Sequence, residues 1–262
     1  MRLLRVAFHL GRGVLIVQCV FPWLGAEHRR AIKRRWSARL VRILGIRLKQ
    51  GTLDLPPGVL IVSNHISWID IFVINALTET SFVCKDDVRQ WPIIGWLVAH
   101  TGAVFIERGN RAAAARTAQA VTARLQAGER IVFFPEGTTT DGSTLLPFRA
   151  ALFQAGCTSA GVIPFALQYL DEQGRRHPAP AYDGDISFAE CMLAVVNTND
   201  ICVRALALPA LPAGLDRREM AARSHHQLAI ALGMKPVGAE MIDGDERDDG
   251  AAPATLQSAP GS

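Results

Sequence analysis

A histidine and an aspartate five residues apart, His65 and Asp70, interrupt the apolar run "IVSNHISWIDI" at 61–71. Two ionisable groups in so greasy a stretch are costly unless they pair or are used. On one continuous helix, five residues turn about 500° and leave the two side chains roughly 140° apart. The spacing works if His65 sits in a loop and Asp70 on the first turn of the helix that follows. The carboxylate then reaches back to the imidazole, fixes its tautomer and frees the other ring nitrogen to take a proton. Ser67-x-x-Asp70 also has the form of a capping box, and an acid in a helix's first turn suits the dipole. The two readings are compatible.

Two further polar clusters follow apolar runs. "AVFIER" ends in Arg108, and "RIVFF" runs into "PEGTTT", which holds Glu136, Gly137 and Thr138. Each alone has a plain reading: a solvated arginine at a strand end, and a turn rich in Pro, Gly and Asp-Gly. A glutamate between Pro135 and Gly137, with backbone amides of Gly137 and Thr138 nearby, is also a place to bind an anion or a polyol. The chain has no Gly-x-Ser-x-Gly elbow, which leaves a hydrolase triad unsupported. It has no Gly-x-x-x-x-Gly-Lys-Ser/Thr loop either, which excludes a P-loop.

The elements that must position these residues alternate. Short β-type runs at 58–63, 80–85, 103–108, 130–134, 160–169 and 201–211 are separated by helical stretches at 68–77, 87–102, 110–128 and the second half of 182–196. A closing helix is expected at 218–233. This pattern predicts an α/β domain with a central, mostly parallel or mixed sheet flanked by helices. In such sheets ligands bind beyond the carboxyl ends of the strands, where all three clusters would lie. No internal repeat is present.

The formal charge of +4 hides an asymmetry. Residues 1–50 hold 12 Lys/Arg and one acid, +11, whereas the remainder holds 16 basic and 23 acidic residues, −7. "LLRVAFHLGRGVLIVQCVFPWL" (3–24) is apolar but broken by Arg5, His9, Arg12 and Pro22. Its uninterrupted part falls short of the roughly 20 residues that a spanning helix needs. Residues 27–49 then carry nine Lys/Arg with Ile32, Trp36, Leu40, Ile43 and Leu44 near helical spacing. A basic amphipathic helix with a tryptophan is the pattern of an interfacial segment. The expected organisation is a membrane-interacting front end at 1–49, a catalytic domain at 50–235 and a disordered acidic and polar tail at 236–262. Basic residues past the apolar stretch put that side in the cytoplasm, so the expected address is the cytoplasmic face of the inner membrane. The basic run lacks interleaved aromatics, so no nucleic-acid partner is expected. Trp91 and Trp96, flanking Pro92, could also reach a bilayer interface. Five scattered cysteines form no metal-site or disulfide framework, and the adjacent His225 and His226 read as surface residues.

"NHISWID", "VFIER", "FFPEGTTT" and "VIPFAL" occur in this order and resemble the four sequence blocks of the glycerolipid (1-acyl-sn-glycerol-3-phosphate) acyltransferase family. The resemblance covers roughly 50–210, and "FVCK" with Lys85, followed by "WPIIGW", matches the segment between the first two blocks. It implies that His65 is the general base and Asp70 its orienting partner. Arg108, Glu136, Gly137 and Thr138 would hold the acceptor's polar head, with Lys85 and Arg149 as further substrate-binding residues. Val162, Ile163 and Pro164 would line the acyl or acceptor pocket. The implied reaction moves a fatty acyl group from acyl-CoA or acyl carrier protein, as co-substrate, to the free hydroxyl of a lysolipid, with no metal and no other cofactor. Thr139 stands where phosphatidate-forming members often carry arginine, and its loss removes a bidentate phosphate clamp. A lyso-ornithine lipid, whose cationic amine could meet Glu136, is therefore the alternative acceptor. The alternative outside enzymology is a silent lipid- or CoA-binding protein of the same fold.

Overall fold

A computed structural model describes residues 1–91, 93–106 and 111–235. Among these, seven strands form one sheet: β1 (Arg47–Leu48), β2 (Val59–Ser63), β3 (Ser81–Lys85), β4 (Val104–Ile106), β5 (Ile131–Phe133), β6 (Gly161–Leu170) and β7 (Cys202–Ala207). Their order is β1-β7-β6-β2-β5-β3-β4. β2 reads "VLIVS" and is buried throughout, as a strand covered on both faces must be. The five neighbours from β6 to β4 are mutually parallel, whereas β7 runs antiparallel to β6. Every loop that follows β2, β3, β4 or β5 therefore leaves from one edge of the sheet.

β6 is ten residues long and β2 only five. Their pairing ends at Ser63 and Phe165, so Ala166–Leu170 overhangs the point where the chain leaves β2. β7 supports the other side of this overhang, pairing Ala166 with Leu206 and Leu170 with Cys202.

Helices α1 (Arg2–Leu15), α2 (Ala26–Ile43), α3 (Asp70–Leu77), α4 (Ile94–His100), α5 (Arg111–Gln126), α6 (Phe188–Val196) and α7 (Arg217–Leu232) complete the element list. α2, α3 and α6 cover one face of the sheet, and α5, α7 and a 3-10 helix at Ala151–Thr158 cover the other. The stretch 87–102, expected to be helical or broken-helical around Pro92 and Gly95, forms a 3-10 turn (Asp86–Gln90) and α4. Between them Ile93 holds a left-handed φ of 62°. β1 was not anticipated, since two residues are too few to show a period.

The boundary expected at residue 50 falls inside this folded unit. Leu40, Val41 and Leu44 are fully buried in the main core, and Arg47 pairs with Cys202. α2 thus turns its apolar stripe onto the domain and its arginines Arg35, Arg39 and Arg42 outward. His225 also departs from expectation: it is buried, its ring edge-on to Phe148 at 4.9 Å, while His226 is exposed. The tail 236–262 lies outside the described residues.

α1 continues through Ile16–Val20 and Phe21–Trp23, giving 22 helical residues that are long and apolar enough to cross a membrane by length and composition. One side of it packs on the domain. Val6, His9 and Gly13 are buried against the domain. Leu4, Phe8 and Leu15 are exposed and, at 100° per residue, fall within about 40° of one another on the opposite side. The inner face is locked to α2. His9 Nε2 donates to the Trp36 carbonyl at 3.0 Å, Trp36 Nε1 donates to the His9 carbonyl at 3.2 Å, and the two rings stack at 4.7 Å. Gly13 is required there, since a Cβ would lie 2.9 Å from the indole nitrogen.

Candidate active site

His65 leaves β2 in a loop, and Asp70 opens α3, as the five-residue spacing demanded. His65 Nδ1 lies 2.8 Å from Asp70 Oδ2. A carboxylate accepts, so Nδ1 carries the proton, and Nε2 presents its lone pair. The imidazole is one-fifth exposed, and Nε2 bonds to none of the described residues. Phe134 forms its floor, with ring centroids 3.9 Å apart and planes 10° apart.

Asp70 is fully buried, and both its oxygens are satisfied. Oδ2 also accepts the amides of Ile66 at 2.8 Å and Ser67 at 3.0 Å. Oδ1 accepts the hydroxyl of Tyr169, from the β6 overhang, at 2.6 Å. Only half of the expected capping box forms here: Ser67 gives its backbone amide to the Asp70 carboxylate, but its hydroxyl does not accept the Asp70 amide, which bonds to the Ser67 carbonyl instead. A complete box forms elsewhere, at Ser187 and Glu190 of α6.

The loop that carries His65 is held at every step. The Asn64 side chain bonds both ways to β6, its Nδ2 donating to the Leu167 carbonyl at 3.0 Å and its Oδ1 accepting the Leu167 amide at 2.8 Å. The His65 carbonyl accepts from Thr140 N at 2.9 Å, and the Ile66 carbonyl from Tyr182 N at 3.0 Å. Glu136, buried, accepts the His65 amide on Oε1 at 2.8 Å and the Leu146 amide on Oε2 at 2.9 Å. The glutamate expected against a headgroup thus joins two loops by their backbones. Burial pushes its carboxyl up to about 7, against the pull of the two amides, with the nearby Asp70 charge adding to the rise.

Beside Glu136 the chain turns at Gly137, φ 74°, under the Arg149 side chain; a Cβ on Gly137 would lie 3.1 Å from Arg149 Nε. The guanidinium is exposed and bonds to none of the described residues. Thr138 is exposed on the same turn, while the Thr139 hydroxyl turns inward to donate to the Tyr182 carbonyl. Lys85 ends β3, exposed, on the same sheet edge. Arg108 lies outside the described residues. Val162, Ile163 and Pro164, expected to line a pocket, are instead buried inside β6, since they pair with Leu60, Ile61 and Val62 in mid-sheet.

An apolar cavity of about 60 Å³, open to solvent, lies between the N-terminal helices and α3 and α4. Trp36, Phe21, Phe72, Phe82 and Leu97 line it, with Lys33 as its one cation. Phe82 stacks on Phe134 at 6.3 Å, so two aromatic rings separate the cavity from His65. Its lining is mostly apolar and suits an apolar group. Sequence reasoning missed Asn64, Phe134 and Tyr169 as supports. Tyr169 had a signal, because a phenol inside a largely apolar strand needs a hydrogen-bond partner.

Residues 48–168 match the Acyltransferase family. A 1-acyl-sn-glycerol-3-phosphate acyltransferase of Neisseria meningitidis is 37% identical over 162 residues, 62% of this chain and 63% of that protein. The match thus spans less than two thirds of that relative's length. A lyso-ornithine lipid O-acyltransferase of Brucella abortus is 30% identical over 234 residues, 80% of this chain and 88% of that protein. The crystal structure of the 1-acyl-sn-glycerophosphate acyltransferase PlsC from Thermotoga maritima shares the fold, with a TM-score of 0.59 at 16% identity over 89% of this chain and 97% of that one. An Asp–His pair with a buried carboxylate, set at the edge of a mixed sheet, together with this kinship, means that the chain belongs to the Acyltransferase family.

Proposed function

We propose that this protein transfers a fatty acyl group from an acyl thioester to the free hydroxyl of a lysolipid, with 1-acyl-sn-glycerol-3-phosphate becoming phosphatidate. The observation that carries the reading is the His65–Asp70 bond, which leaves Nε2 unprotonated and open to a substrate. An alcohol is a poor nucleophile until a base takes its proton as it attacks, an effect worth roughly 10²–10⁴-fold. Nε2 takes that proton, and the lipid oxygen adds to the thioester carbonyl. The oxyanion then collapses, the C–S bond breaks, and the imidazolium returns the proton to the departing thiolate. The thioester is already activated, so this chemistry needs neither a metal nor a covalent enzyme intermediate. Asp70 holds the tautomer, and the Arg149 guanidinium suits an anionic head beside Gly137. The lining of the cavity behind Phe134 and Phe82 has the apolar chemistry that an acyl chain needs.

The reaction takes place at the membrane surface, on the cytoplasmic face of the inner membrane. The exposed stripe Leu4, Phe8 and Leu15, with Trp23 exposed beyond it and Arg5, Arg12, Arg35 and Arg39 around it, supports this placement. A second acceptor, lyso-ornithine lipid, is favoured by one observation: Thr139 replaces a phosphate-clamping arginine and is bonded to Tyr182. Two relatives of that name, from Brucella abortus and Pseudomonas aeruginosa, match over 88% and 79% of their length, although one from Rhodobacter capsulatus matches over 58%, against 63% for the Neisseria meningitidis protein.

The test is transfer of labelled acyl groups from acyl-CoA and from acyl carrier protein to lysophosphatidate and lyso-ornithine lipid. One pair is expected to turn over, and His65→Ala is expected to lose roughly 10²–10⁴-fold in kcat. No transfer to either acceptor, or full activity in His65→Ala, would discard the reading.

A further inference from the structure

We propose that Tyr169 is a positioning residue for the acyl transfer, its hydroxyl setting the direction and charge of the Asp70 carboxylate that orients His65. The inference rests on His65 being the base. Tyr169 sits on β6, beyond the last residue that pairs with β2, on the same face of the strand as the core residues Phe165 and Leu167. Its ring is buried, and its hydroxyl lies 2.6 Å from Asp70 Oδ1, a charge-assisted bond. Asp70 is inaccessible, so no solvent molecule can stand in for that hydroxyl.

The geometry gives the bond a function beyond filling a valence. Oδ2 receives three donors, all from the loop that carries the imidazole. Among the described residues Oδ1 has one donor, and it comes from the sheet. Two residues earlier on the same strand, Leu167 holds Asn64 through both its backbone groups. The overhang of β6 thus fixes both ends of the pair: the backbone entering His65, and the carboxylate that aims its ring. Partners one bond behind a metal-ligating histidine change activity by about 10–100-fold when removed, and the same order is expected for a partner one bond behind a histidine base.

The hydroxyl also draws charge from Asp70. Without it, the carboxylate holds the imidazolium proton more tightly, and the base is free only at higher pH. Four ionisable groups surround Asp70: His65 from its loop, Tyr169 from β6, Glu136 from the loop after β5 and Cys191 from α6. Burial, then the Asp70 charge, raise the Tyr169 phenol well above its ordinary value, so it remains a donor throughout. Glu136 titrates near 7 and must be separated from the effect.

The experiment compares Tyr169→Phe with wild type at full length, in kcat, KM and pH profile. The expected result is a kcat about 10–100-fold lower, KM for both substrates unchanged within about twofold, and the acid limb of kcat/KM displaced to higher pH. The displacement persists when Tyr169→Phe is made in the Glu136→Gln background. Adding Tyr169→Phe to Asp70→Asn costs little further, because the two act as one unit. Phe165→Leu, a core change on the same strand, lowers the melting temperature and leaves the pH profile in place. Wild-type kcat and profile in Tyr169→Phe would overturn the inference. So would a loss that vanishes once activity is normalised to folded protein, or a Phe165→Leu profile displaced to the same extent. Full activity in His65→Ala would instead remove the base assignment, a separate failure.

Discussion

Glu136 shows how far one carboxylate's task can lie from its apparent one. In sequence it stands in an exposed-looking turn among hydroxyls, where a headgroup ligand is the natural reading. In the fold its two oxygens close the backbones of His65 and Leu146 onto one buried point. Burial raises its pKa to about 7 from 4.5. Between those values the native state holds a proton that the unfolded chain has lost. The Glu136 contribution to stability is therefore present below about 4.5, declines as pH rises towards about 7 and is constant above. The difference in unfolding free energy between wild type and Glu136→Gln should shrink across that window, by on the order of 3 kcal/mol at most. Thermal or urea unfolding of both proteins as a function of pH checks it. A difference that grows with pH, or stays flat, means the carboxyl is not raised. Activity should also fall in Glu136→Gln, because a side-chain amide can accept only one of the two backbone protons with its oxygen and opposes the other with its own donors.

At the scale of elements, α1 has to serve two surfaces at once. One face carries Val6, His9 and Gly13 onto α2, and the other presents Leu4, Phe8 and Leu15 outward, with Leu4 77% and Phe8 78% exposed. The Gly13–Trp36 contact is the tightest point of the inner face. Gly13→Leu should force the indole aside and lower stability by about 1–3 kcal/mol, read as a drop in melting temperature. Flotation with anionic liposomes should survive, because the outward stripe is untouched. Loss of liposome binding at unchanged melting temperature would reverse the assignment of the two faces. Arg2 adds a second tie, donating to the Val196 carbonyl at 3.2 Å and to the Thr198 carbonyl at the end of α6.

For the whole molecule, the folded unit begins earlier than the composition suggests. The cationic front end is two different things: an α1 segment laid on the surface, and an α2 built into the core through Leu40, Val41 and Leu44. Removing residues 1–24 should release a folded domain into the soluble fraction. Removing 1–49 should prevent folding, since it strips the cover of the sheet and the strand paired to β7. Circular dichroism and sedimentation with membranes separate the two. If the 1–49 deletion proves folded and soluble, α2 is not part of the core. If the 1–24 deletion still sediments, other exposed apolar residues such as Ile93, Ile186 and Leu193 hold the bilayer.

How much of this was legible follows from the range of each interaction. The six longer strands and the helices between them could be read from local hydrophobic runs and turn residues, which act over a few positions. The His65–Asp70 pairing was legible because loop and helix start are adjacent, and five residues constrain the geometry nearly as well as coordinates do. The two-residue β1, the buried role of Glu136, and the burial of His225 were not, because each depends on a partner 60 or more residues away. By itself the sequence determined which chemistry was available, an imidazole and a carboxylate spaced to share a proton. Only the tertiary structure decided what holds that pair still, because the register of β6 against β2, and hence the reach of Asn64 and Tyr169, is set by the packing of the whole sheet.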